Sequence, residues 1–205
     1  MTVREQYAKR FPILEAMTPK LLETMEECFL GVPRIDRVTV RAKSIDRFVK
    51  KAEKTNELGP LYTEPMCQIQ DQIGCRVVVF YLNDVETVSN LITKYFRAIE
   101  EAVKRPDKDE QFGYFGKHFI LPIPREIIPK DVQQDEVPNY FELQIKTLYQ
   151  HAWAEAEHDV GYKPCEQLSG EQRRSLAFVA AISWGADKAF HELAARLVPG
   201  YPLEQ

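Results

Sequence analysis

No apolar run in this chain approaches the roughly 20 residues needed to cross a bilayer. The opening stretch, MTVREQYAKRF, has neither an apolar h-region nor a small-residue cleavage site, so a cytoplasmic location is expected. Cysteine is sparse and unpatterned. Cys28, Cys67, Cys75 and Cys165 are the four cysteines, widely spaced and without a CxxC pair. That argues against a zinc knuckle or a disulfide framework and leaves four partly buried thiols as the expectation. An excess of positive charge is missing too: the net charge is −4, which gives no general electrostatic case for nucleic-acid binding. There is no internal repeat and no low-complexity tract.

What is present is an ordinary globular composition, 44% apolar and 28% charged over 205 residues. That length suits one domain with a full core, or one domain plus helical appendages. Basic residues are concentrated locally. Arg34, Arg37, Arg41, Lys43, Arg47, Lys50, Lys51 and Lys54 are opposed only by Asp36, Asp46 and Glu53. Such a run is either a solvated face or a phosphate-binding surface, and composition does not choose between them.

Apolar residues at helical spacing predict helix over residues 4–30, with Pro12 and Pro19 dividing it into two pieces and Thr18-Pro19 starting the second. A short strand is expected at Val38–Val40, then a basic helix from Ser44 to Glu57, then loop to Pro65. Gly74–Tyr81, rich in β-branched and aromatic residues, reads as a central strand buried on both faces. Asp84 is positioned to cap a helix beginning near Val85. Residues 103–112 read as loop, Lys117–Pro122 and Asn139–Lys146 as strands, and Thr147 as the cap of a helix reaching Glu157. A last helix is expected over 170–197, where Leu176, Val179, Ala180, Ser183, Trp184, Phe190 and Leu193 form an apolar stripe. Interleaved strands and helices place the chain in the α/β or α+β class with a mixed sheet.

The segment Phe141–Thr147 carries most of the chemistry. Strand side chains alternate faces, so Phe141, Leu143 and Ile145 point to the core while Glu142, Gln144 and Lys146 form a polar row on the other side. In the helix that follows, His151, Glu155 and His158 share one face. These are zinc-type ligands, but without an HExxH arrangement the expected role is a polar network supporting the sheet. Trp153, between two alanines, is expected to be a core anchor.

Taken together, Glu142-Leu-Gln144-Ile-Lys146-Thr147, Ala152-Trp153-Ala154 and Glu157-His158 resemble the signature of RelA/SpoT synthetase domains. Arg41-Ala-Lys43-Ser44, Asp71-Gln-Ile-Gly74-Cys-Arg76 and Gly113-Tyr114-Phe-Gly-Lys-His118 resemble further elements of that family, in the family's order. The resemblance spans residues 34–163. It implies a single synthetase domain over 1–205, with a mixed sheet of the nucleotidyltransferase-like type flanked by helices and helical extensions at 1–30 and 170–197. It also implies transfer of pyrophosphate from ATP to the 3′-hydroxyl of GTP or GDP, giving (p)ppGpp and AMP.

By this resemblance Asp71 is the principal Mg²⁺ ligand, and Glu142 either shares the metal or accepts the hydroxyl proton. Arg41 and Arg76 stack on adenine, and Lys43 and Ser44 hold ATP phosphates. Tyr114, Lys117, His118, Gln144 and Lys146 serve the acceptor. Lys146 stands where many members have arginine, and Gly116 where many have a small hydroxyl residue, with Phe115 as an extra aromatic. These departures bear on the acceptor, for which tRNA is the alternative to a free nucleotide. A catalytically silent nucleotide sensor is the other competing reading. About 30 residues precede the first motif, so an upstream hydrolase is not expected. The terminal helices are candidates for homo-oligomerisation.

Overall fold

The computed structural model describes residues 1–106, 108, 111–113, 115–161 and 168–201. In chain order the elements are α1 (Val3–Cys28), β1 (Ile35–Ala42), α2 (Ile45–Ala52), a two-residue-per-strand hairpin of β2 (Thr55–Asn56) and β3 (Gly59–Pro60), and the short α3 (Pro65–Gln68). Then come β4 (Ile73–Val79), α4 (Leu82–Tyr95), β5 (Glu100–Lys104), β6 (Gly116–Pro122), β7 (Tyr140–Thr147), α5 (Leu148–Gly161) and α6 (Gly170–Leu197). Five strands form one mixed sheet in the order β1-β4-β7-β6-β5. The central β4–β7 pair is parallel and the other pairs are antiparallel. This is the mixed α+β class that interleaving predicts.

One sheet face is the core. Val77, Val79, Leu143, Ile145, Phe119 and Leu121 join Tyr7, Leu14, Met17, Leu21 and Met25 of α1 and Val88 and Ile92 of α4 in a single buried cluster. The opposite face is partly covered by α5, with α6 packed on α5. The rest of this face stays open, and the polar row of β7 lies on it.

Four sequence expectations are corrected. Residues 3–28 form one helix, not two, although Pro12 and Pro19 lie inside it. Proline removes a backbone donor, but the Glu15 carbonyl that Pro19 cannot reach accepts the Thr18 hydroxyl at 2.9 Å. Five fully buried α1 side chains hold the rest against the core. The basic helix is shorter than expected, Ile45–Ala52, because the chain turns back through β2 and β3. Glu100–Lys104 is an edge strand, where the polar composition suggested loop from 103 onward; an edge strand has a solvent side and needs no apolar alternation. Asp84 sits inside the first turn of α4, not at its cap, and accepts the Tyr81 N–H at 3.1 Å.

Asp84 has a second task. It is buried, and Arg34 binds it twice, with Nε at 2.9 Å and Nη2 at 2.8 Å from Oδ1. Arg34 has φ +62°, a left-handed conformation unfavourable for a residue with a Cβ. The bidentate ion pair offsets that strain. The Arg34 guanidinium also lies 5.3 Å from the centroid of the Tyr201 ring. Tyr201 Oη accepts the Asn83 N–H at 3.3 Å and lies 2.9 Å from His191 Nδ1. One buried tyrosine thus ties the end of α6 to the start of α4. Tyr201→Phe should cost about 1 kcal/mol and Tyr201→Ala about 3–5 kcal/mol, checked by urea denaturation. Equal costs would show that the ring contacts contribute nothing.

Of the cysteines, Cys75 is buried, Cys28 half-buried and Cys67 exposed, all reduced. Cys67 therefore departs from the partly buried expectation, and Cys165 lies outside the described residues. Burial pushes the Cys75 thiol up, which keeps it inert. No helix among the described residues is long and apolar enough to cross a membrane.

Candidate active site

Strand register assembles the site. Gly74 on β4 pairs with Arg41 on β1 and with Glu142 on β7; Arg76 pairs with Thr39 and Gln144; His118 on β6 pairs with Gln144. Paired residues project to the same side, so Arg41, Arg76, Glu142, Gln144 and His118 share the open face. Arg41, Arg76, Glu142 and Gln144 line a cleft of about 450 Å³ whose lining also includes Lys43, Ser44, Arg47 and Asp71. Gly74 sits in the floor between Arg41 and Glu142. A Cβ there would meet no heavy atom within 4 Å, so glycine keeps open a space that a side chain would fill.

α1 fixes the cleft's edge. The Tyr7 ring stacks on Phe48 of α2 at 3.7 Å, and its hydroxyl donates to the Lys43 carbonyl at 2.7 Å. The Lys43 N–H donates to the Gln72 carbonyl at 2.8 Å. Lys43 and Asp71 therefore face each other across two anchored backbones. Ser44 stands at the N-cap of α2 with its hydroxyl making no capping bond, beside the helix's positive end.

Asp71 is held by two lysines, Lys43 Nζ at 2.9 Å from Oδ2 and Lys51 Nζ at 3.0 Å from Oδ1. The Lys51 contact is an ion pair without hydrogen-bond alignment, and Oδ1 is buried with no hydrogen-bond partner among the described residues. Glu142 is held on both oxygens: His118 Nδ1 lies 2.9 Å from Oε1, and Gln144 Nε2 donates to Oε2 at 2.7 Å. Burial would raise its pKa, but the His118 bond and field, then Gln144 and Lys51, outweigh it and hold the carboxyl near about 2.

Arg41 and Arg76 are diagonal neighbours on adjacent strands. Such positions lie about 7–8 Å apart. That is twice the roughly 3.5–4 Å contact distance of carbon atoms, the gap a flat ring would fill. Burial, then Arg76 and Arg47, make Arg41 easier to deprotonate than usual. Arg76 is ion-paired to Glu155 of α5 and lies 3.3 Å from His151 Nδ1. Its Nε is buried with no hydrogen-bond partner among the described residues. His151 and Glu155 thus form the supporting network expected from the sequence, while His158 is exposed; no metal-binding His/Cys/Asp/Glu cluster occurs among the described residues.

Not every expected residue reaches this face. Lys117 is one strand position from His118 and so points to the opposite side, where its amine lies 3.0 Å from Glu86 and 3.1 Å from Glu101. Lys146 belongs to the polar row but is buried at 2% exposure beneath it. Tyr114 lies outside the described residues. Lys51, named from sequence only as part of the basic run, proves to be a direct partner of Asp71; only the fold could show this, since 20 sequence positions separate them. The basic run also divides. Arg34 and Arg37 pair with Asp84 and Asp36, while Arg41, Lys43 and Arg47 line the cleft.

Fold and site define an α+β protein with a cation-lined cleft on one sheet face and two carboxylates in its wall. The chain belongs to the family described as the region found in RelA / SpoT proteins, whose model matches residues 40–167. It is similar to the GTP pyrophosphokinase YjbM of Bacillus subtilis (strain 168), 26% identical over 132 residues. That match covers 63% of this chain and 57% of the relative's length. The fold is similar to that of small alarmone synthetase 1 from Bacillus subtilis bound to its product pppGpp, with TM-score 0.68 and 21% identity over 90% of this chain and 92% of that one. It is also similar to a GTP pyrophosphokinase family protein from Streptococcus pneumoniae, with TM-score 0.69 and 23% identity over 96% of each chain.

Proposed function

We propose that the chain transfers pyrophosphate from ATP to the 3′-hydroxyl of GTP or GDP, releasing AMP. The observation that carries this reading is a pair of buried atoms in one cleft without a hydrogen-bond partner among the described residues, the acceptor Asp71 Oδ1, which has only its ion pair with Lys51, and the donor Arg76 Nε. Buried polar atoms are normally paired, and a bound ligand would pair these two. Family membership, and the activity and product named for the relatives, agree with it.

The donor set fits Mg²⁺. A hard cation takes one or two carboxylates and completes its shell with phosphate oxygens and water. Asp71 would hold it, and when bound it would neutralise charge on the ATP phosphates. The chain's own residues do the rest. Arg41 and Arg76 hold the adenine between guanidinium planes. Lys43, Ser44 and Arg47 receive the phosphates. Glu142, fixed by His118 and Gln144, keeps carboxylate lone pairs for the acceptor hydroxyl. It orients that hydroxyl and accepts its proton as the new P–O bond forms and AMP departs with the bridging oxygen. A carboxylate this weakly basic takes the proton late, so positioning contributes more than base strength. Tyr114 stacks on the acceptor base. A second copy of the chain would pack on α6, where Phe178, Ile182 and Leu197 are exposed, and not on α1, which its own core consumes.

Purified protein with Mg²⁺ and γ-labelled ATP, given GTP, GDP or deacylated tRNA in separate reactions, should place label in a guanosine penta- or tetraphosphate. Label on tRNA alone would assign a different acceptor. No transfer to any acceptor would leave nucleotide sensing as the function.

A further inference from the structure

β4 begins at Ile73, so Asp71 stands just outside the sheet, in a link from α3 that has no strand ladder of its own. Its partners Lys43 and Lys51 reach it through long, flexible side chains, which do not by themselves fix a carboxylate. The residue after it is held far more firmly. Gln72 is fully buried and does not line the cleft. Its amide nitrogen donates to the Met66 and Ile69 carbonyls, both at 2.9 Å, which uses both N–H groups. Its amide oxygen accepts Arg10 Nη1 at 3.1 Å.

Arg10 comes from α1. The same Nη1 donates to the Met66 carbonyl at 2.8 Å, and Nη2 donates to the Asp135 carbonyl, in the β6–β7 connection, at 3.2 Å. Arg10 and Tyr7 lie one turn apart on α1 and so share a face. Tyr7 holds the Lys43 carbonyl on one side of the Lys43–Asp71 pair, and Arg10 holds the segment on the other side.

We propose that Arg10 and Gln72 are positioning residues for the transfer reaction, a guanidinium–amide clamp that closes the 66–72 segment and fixes the Asp71 carboxylate. Neither side chain lines the cleft, so neither touches substrate there. The planar fork of arginine suits this task, because it presents donors in fixed directions to several oxygens at once. Its bonds are charge-assisted, and two of the three go to residues of the segment that carries Asp71. Docking of α1 does not call for them: Tyr7, Leu14, Met17, Leu21 and Met25 already bury that helix against the core. The clamp therefore serves the segment more than the helix.

Its role in catalysis rests on the transfer activity proposed for the chain. Arg10→Met keeps the stem and removes the fork. It should lower kcat by at least about tenfold, toward the roughly 10²-fold cost of a misplacement of about 1 Å. KM for ATP should stay within about twofold, since the strands that carry Arg41 and Arg76 are not held by the clamp. Gln72→Met opens the clamp from its other end and should give the same split. In an Asp71→Asn background Arg10→Met should cost no more than about twofold further, because groups that act through one another are not additive. A purely structural role would cost the same in both backgrounds. Amide exchange over residues 66–72 should also speed up in Arg10→Met while that of β4 stays as in the parent.

Rates are taken where circular dichroism shows the protein folded, and if one of the two variants is unfolded there the other decides. An unchanged kcat beside an active parent, a full further loss on top of Asp71→Asn, or unchanged exchange over 66–72 each overturns the clamp. A parent that transfers nothing overturns the transfer activity instead, and the exchange measurement still tests the clamp.

Discussion

Replacing Asp71 by asparagine should lower pyrophosphate transfer by about 10²–10³-fold or more, the range seen when one preorganised electrostatic group is removed from a polar transition state. The side chain keeps its shape and loses its charge. Lys43 and Lys51 then lose the anion that spaces them 2.9 and 3.0 Å from its two oxygens, and the cleft gains net positive charge. Asp71 is 19% exposed, so its ion pairs are partly solvated and the stability change should stay within about 1 kcal/mol. Initial rates at saturating ATP, run beside a urea melt, separate the two effects. An Asp71→Asn enzyme retaining more than about a tenth of the parent rate would remove Asp71 from the catalytic set.

The second large effect runs the other way for stability. Lys146 is buried at 2% exposure on the site face. Burial first, then the nearby Arg76, bring its pKa down from 10.5 to about 7, with Glu155 and Glu142 opposing and Arg41 adding to the fall. The sign follows from linkage. The unfolded chain takes up the lysine proton near 10.5, whereas the folded chain holds out until about 7. Stability is therefore fully present above 10.5, declines as pH falls toward 7, and levels off below it.

Lys146→Met removes that slope. It should stabilise the protein by roughly 1–4 kcal/mol at about pH 6, as apolar replacement of buried ions can, with the gain fading toward about pH 10. Transfer should fall at least tenfold, because the cation beneath Glu142 and Arg76 is gone. Denaturation midpoints at three pH values test the slope. A gain that stays constant across these pH values would show that the lysine is charged in the fold throughout.

Much of the site was legible because strand alternation is strict. Phe141, Leu143 and Ile145 are buried and Glu142 and Gln144 are on the cleft, as period two requires. The same rule, applied to Lys117 and His118, already separates them to opposite faces, so adjacent strand residues cannot both contact one acceptor. Thr147 starts α5 as expected, its hydroxyl accepting the Gln150 N–H at 3.1 Å. Trp153 is an anchor, but of the α5–α6 contact, with its indole N–H donating to the Leu176 carbonyl at 3.4 Å.

The sequence by itself determined the mixed class, the buried β4 strand, the polar row on β7 and the residue types of the cleft. All follow from local periodicity and from motifs a few residues long. Tertiary structure alone decided which charges meet. It set Lys51 against Asp71, His118 against Glu142 and Arg34 against Asp84, and kept α1 whole through two prolines. Those outcomes depend on strand order and helix packing between residues far apart in the chain, and on burial, which turns an ordinary side chain into a costly one unless a partner arrives.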